Sequence, residues 1–82
     1  MSNELREWRL SRARGAILEY IRGVKERATL KWVLGVLKGP QGVTKEEALA
    51  LLNTIESDPA VTWTADRKRR LEELRRTIDA EW

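Results

Sequence analysis

Few side chains in this sequence could do covalent or acid–base chemistry. Glu46 beside Glu47, and Glu72 beside Glu73, are the nearest approach to paired carboxylates. Adjacent residues on a helix point about 100° apart, so neither pair converges on one substrate atom. The 82 residues include no cysteine and no histidine. That removes thiolate nucleophiles, disulfides, the usual general base and the commonest zinc ligand. Gly39-Pro40-Gln41-Gly42 is a turn signal and lacks the pattern of a phosphate-binding loop. No nucleophile elbow or metal-ligand spacing is present. The expectation is a protein that is not an enzyme, with no cofactor, no metal and no catalytic residue.

The chemistry that remains is recognition, carried by arginine and tryptophan. Eleven of the 16 basic residues are arginine, the side chain suited to planar, multi-donor contacts with carboxylate, phosphate or aromatic faces. Four tryptophans and no phenylalanine is an unusual aromatic choice for a small core, and tryptophan and arginine are enriched at the energetic centres of interfaces. Arg67-Lys68-Arg69-Arg70 falls in the first turns of a predicted helix, where basic groups oppose the positive end of the helix dipole. A local rule broken in this way points to binding. The competing reading is a solvated face paired with Asp66 and Glu73. The candidate partner-binding residues are therefore Trp8, Arg9, Arg12, Trp32, Arg67, Lys68, Arg69, Arg70 and Trp82.

Charge is distributed unevenly about a net of +3. Residues 1–28 carry 7 basic and 4 acidic groups, and residues 64–82 carry 6 and 5. Residues 29–44 carry only Lys31 and Lys38, and in residues 45–63 Lys45 stands against Glu46, Glu47, Glu56 and Asp58.

The elements that must position these residues follow from periodicity and punctuation. Leu10, Ala13, Ile17, Tyr20, Ile21 and Val24 recur at helical spacing and predict a first helix over 3–27, with Leu5 and Trp8 drifting off its stripe. Gly15 and Gly23 each weaken it by about 1 kcal/mol relative to alanine. A second helix over 29–37 is apolar nearly all round, with Leu30, Val33, Leu34 and Leu37 as its core stripe, and is stopped by Gly39-Pro40. Thr44 with Glu47 forms a capping box for a third helix whose inner stripe is Ala48, Leu51, Leu52 and Ile55. Asp58-Pro59 ends it. Ala60-Val61-Thr62-Trp63 alternates, and is long enough for a short strand or an extended crossing segment. A last helix begins at Thr64 or Ala65, with Leu71, Leu74, Ile78 and Trp82 on its apolar face. Asp66 with Arg70, and Glu72 with Arg76, are acid-before-base pairs at i, i+4. Trp63 and one of Trp32 or Trp82 are expected in the core.

This order predicts one mainly all-α domain over 1–82: a three- to four-helix, winged-helix-like core with at most one short β segment and an added C-terminal helix. That helix either packs back on the first or pairs with its copy in a homodimer. From Ile17 to Trp63 the chain resembles the small winged-helix-like, helix-turn-helix proteins of transposable, Mu-like phages. The resemblance is carried by Ile17-Leu18, Val33-Leu34 with Leu37, Val43-Thr44-Lys45-Glu46-Glu47 and Val61-Thr62-Trp63. It departs in having no second wing strand and in the acidity of the third helix, which in a DNA-binding relative would enter the major groove. Carboxylates there are repelled by phosphates, so duplex DNA as partner would have to be met by the arginine clusters. The leading expectation is contact with a host or phage protein, as a phage-type accessory or regulatory factor. The alternative is a DNA-binding transcriptional regulator. No apolar run reaches the roughly 20 residues that span a bilayer, and the expected location is the cytoplasm.

Overall fold

Threonine opens three of the helices in the computed structural model, which describes residues 3–23 and 25–82. The helices are α1 (Asn3–Arg22), α2 (Leu30–Lys38), α3 (Lys45–Glu56) and α4 (Ala65–Glu81). Thr29, Thr44 and Thr64 hold extended backbone, and each hydroxyl accepts the amide hydrogen three residues on, from Trp32, Glu47 and Arg67. At Thr44 the predicted capping box is complete, because the Glu47 carboxylate also accepts the Thr44 amide at 2.8 Å. Each such cap satisfies an amide that the helix leaves without a partner and contributes about 1 kcal/mol.

The chain is all-helical, and no strand forms among the described residues. The stretch with alternating pattern becomes a turn and an extended connection. Val61 donates its amide to the Asp58 carbonyl, and the Asp58 side chain accepts the Ala60 amide. Local hydrogen bonds of this kind replace a ladder.

α1 is shorter than its periodicity predicts. It stops at Arg22, and Gly23 takes a left-handed φ of +66°. That conformation favours glycine, and the Arg70 guanidinium from α4 lies over the position where a Cβ would stand. Gly15 meets nothing comparable, and the helix continues through it. Val24, assigned above to the core stripe, lies outside the described residues.

α1 is the shared support. α2 packs on it from one side, while α3 and α4 pack on each other and on α1. Ala13, Ile17 and Ile21 meet Val33 and Leu37, Ala48, Leu52 and Ile55, and Leu71, Leu74 and Ile78 in one buried cluster. Full burial of an aliphatic side chain of this size contributes about 1.5–3 kcal/mol. α4 therefore buries its apolar face in its own chain, the first of the two arrangements foreseen for it. Leu10, Leu30, Leu34 and Leu51 sit at the edge of the cluster. So do Trp32, Trp63 and Trp82, and the innermost core is aliphatic, against the expectation that Trp63 and one of Trp32 or Trp82 would be core. Two ion pairs, Arg14 with Asp58 and Arg6 with Glu47, tie α1 to the end and start of α3.

Candidate functional site

Residues Glu4 to Arg9 of α1 are all exposed. Leu5, 50% exposed, and Trp8, 56% exposed, are the large hydrophobic side chains left open to solvent among the described residues. One turn further on, Arg12 lays its guanidinium over the Trp8 ring, 5.4 Å from the centroid. An exposed cation–π contact of this kind is worth about 0.5–1 kcal/mol and fixes both side chains. Neither Arg9 nor Arg12 makes an ion pair among the described residues.

The same face of α1 continues into a groove against α2. Positions 8, 12, 15, 16 and 19 fall within about a quarter of the helix circumference at 3.6 residues per turn. Arg12, Gly15, Ala16 and Glu19 form one wall, and Trp32 and Val36 form the other, across roughly 530 Å³. Gly15 has open space where a side chain would stand, which leaves this wall low.

The floor at one end comes from the turn after α2. Gly39 donates to the Gly35 carbonyl, Gln41 to that of Val36 and Val43 to that of Leu37, which folds residues 39–43 back over the end of the helix. Gly42, at φ +55°, makes the reversal. Gln41 is thereby nine-tenths buried and lines the groove, and its side-chain Oε1 has no hydrogen-bond partner. A buried acceptor in that condition costs about 1–3 kcal/mol. At the other wall, Glu19 accepts from Lys25 Nζ at 2.7 Å. That hydrogen bond is the chief reason its carboxyl is held below the usual range.

Arg12 and Trp32 thus meet in one groove, with Trp8 and Arg9 just beyond it on α1. The basic run of α4 is elsewhere and differently engaged. Arg67 donates to the Thr62 carbonyl at 2.6 Å. Arg69 lies 3.4 Å from Asp66 and 3.8 Å from Glu73. Arg70 donates to the Ile21 carbonyl at 3.2 Å, in the last turn of α1. Lys68 is exposed beside Trp63 and Glu72. The foreseen pairs of Asp66 with Arg70 and Glu72 with Arg76 do not form. Asp66 takes Arg69, while Glu72 takes Arg75, which also reaches Glu56 at 2.9 Å and Asn53 at 3.2 Å. Trp82 packs at the far end of α2, under Lys38 Nζ at 5.3 Å.

Leu5, Gly15, Glu19 and Gln41 were not among the sequence candidates. Gln41 had a signal, a polar residue between Pro40 and Gly42 directly after an apolar helix, but it reads as an ordinary turn.

Among the described residues no acidic cluster could hold a metal ion, and no helix is long and apolar enough to cross a membrane. The class defined by these features is a small four-helix domain whose open face joins α1 to α2. No family model, curated protein or solved structure matches the chain.

Proposed function

We propose that this chain is a small non-enzymatic binding protein that acts by protein–protein contact, a phage-type accessory or regulatory factor on a winged-helix-like, helix-turn-helix scaffold. The single observation that carries the reading is the exposed Leu5 and Trp8 step, with Arg12 stacked on it, running into the α1–α2 groove. Exposed aromatic and arginine side chains on a rigid helix are the usual energetic centres of protein contacts. The α2–turn–α3 order supports the scaffold. The rival, duplex DNA held by the arginine clusters, is weakened at α4, where Arg67 and Arg70 already donate to backbone carbonyls and Arg69 lies between two carboxylates, and rests on Arg9, Arg12 and Arg14 of α1.

Two measurements test it together. Fluorescence anisotropy against duplex DNA at low and at physiological salt should give a log–log slope near zero, since no counterions are released. Capture from a bacterial lysate should retain a protein on the wild-type chain and lose it on Trp8→Glu. Tight DNA binding that weakens steeply with salt overturns the reading.

A further inference from the structure

Resting on that reading, we infer that the α1–α2 groove is a peptide site, and that its occupant is a short acidic segment of the partner protein carrying one apolar side chain between carboxylates. Three features of the groove specify this chemistry. Trp32, Val36 and Ala16 supply apolar walls for a single anchor side chain. Gln41 Oε1 is unpartnered and shielded from solvent in the groove floor, and a turn of its side chain into the groove would let it accept the backbone N–H of an extended peptide. Arg12 at the rim, with Arg9 one turn back, provides positive charge that no acid among the described residues takes up. The remaining charge on the lining, Glu19, is matched by Lys25, so the groove does not repel an acidic ligand.

Size and charge select among occupants. A groove of about 530 Å³ is in the range that holds a small ligand or a few side chains. Arg12 beside tryptophan and valine, with Arg9 further back on α1, suits one or two carboxylates next to an apolar group. A nucleic-acid backbone would need a longer track of cations.

The test uses the full chain, labelled with nitrogen-15, and a capped pentapeptide with one leucine between two pairs of aspartates. Saturable shifts are expected at the Gln41 side-chain amide and the Trp32 indole N–H, with the Trp63 indole unmoved. Exchanging the peptide's leucine for glycine should weaken binding about tenfold or more, as the anchor's burial is lost. Arg12→Glu should weaken it about tenfold through like-charge repulsion. Gln41→Met, which keeps the volume and removes the acceptor, should weaken it about two- to tenfold. The proposal is overturned if a lysine-for-aspartate peptide binds as tightly, if either variant leaves the affinity unchanged, or if the shifts map away from the groove. It is also overturned if sedimentation shows a dimer that Trp8→Glu dissociates while the peptide shifts nothing, because a second copy is then the occupant. If the peptide fails but lysate capture still depends on Trp8, the groove assignment falls and the protein-contact reading stands. If DNA binds steeply with salt, both fall.

Discussion

The two ends of α1 carry similar side chains in opposite circumstances. At its C-terminal end Tyr20 is buried and donates to Glu73 at 3.4 Å, and Arg70 reaches across to the Ile21 carbonyl. At its N-terminal end Trp8 is more than half exposed, and Arg9 and Arg12 pair with no carboxylate among the described residues. α4 lies over the first environment, whereas at the second the Arg6–Glu47 ion pair ties α1 to α3 and leaves Trp8 and Arg12 open. Aromatic and arginine residues in the closed region contribute to folding. In the open region they hold one another in place and leave their outer surfaces unused, as a contact surface requires.

Core substitution gives the largest effect. Ile17 is fully buried at the middle of α1. Ile17→Ala should cost about 2–5 kcal/mol, out of a total of about 4–12 kcal/mol for a domain of this length. Urea unfolding would register it as a midpoint lowered by a large fraction, or as a chain unfolded in water. Trp8→Ala, nine residues earlier on the same helix, should change stability by no more than about 1 kcal/mol, the value of its exposed cation–π contact with Arg12. A Trp8→Ala loss as large as that of Ile17→Ala would break the contrast, by making the open end structural.

Arginine gives the next effect. Arg70→Ala removes a charged donor from the end of α1, where its guanidinium lies over Gly23, and should cost about 1–2 kcal/mol. Arg12→Ala should cost less than about 1 kcal/mol, the value of an exposed cation–π contact. Denaturant midpoints of the two variants, compared at equal slope, measure the difference directly.

Helix starts and core stripes were legible because their causes are local. Thr44 and Glu47 are three residues apart and make their own cap, and Leu71, Leu74 and Ile78 share a face by spacing alone. The end of α1 was not legible. Gly15 and Gly23 look alike in sequence, and what separates them is the left-handed φ of Gly23, taken where a guanidinium 47 positions further along the chain lies over it. The basic run was misleading for the same reason. Its conflict with the helix dipole is visible, but the Thr62 and Ile21 carbonyls that compensate it are backbone groups, which no residue pattern advertises. At the open end, Trp8, Arg12 and Trp32 were identifiable by type. Gln41 was not, because its burial depends on how the turn after α2 folds back.

The stability effect at Gln41 should have the reverse sign. Gln41→Met keeps the shape and removes a buried acceptor without a partner, and should raise stability by about 1 kcal/mol. A gain in the denaturation midpoint, joined to the loss of peptide affinity above, is the signature of a group retained for binding. A fall in the midpoint would mean that the amide is satisfied in solution and belongs to the closed region.

The smallest effect is a titration, and it reports on the closed end alone. Tyr20 is the chain's one tyrosine, so its phenolate absorbance has a single source. Burial, reinforced by the nearby Glu73 carboxylate and the hydrogen bond to it, holds the phenol above its ordinary value, while Arg70 and Arg69 pull the other way. The protonated phenol is therefore favoured in the folded state over the unfolded, where ionisation occurs at about pH 10. The resulting stability is fully present below that pH and is lost as pH rises through the higher folded-state value. A spectrophotometric titration of the native chain should show ionisation above pH 10, and Tyr20→Phe should lack the corresponding fall in stability. Glu73→Gln removes the charge contribution and leaves burial, so the titration should move partway back without reaching the ordinary value. A full return would show that the carboxylate alone holds the phenol, and that the cover supplied by α4 is looser than the contrast between the two ends of α1 requires.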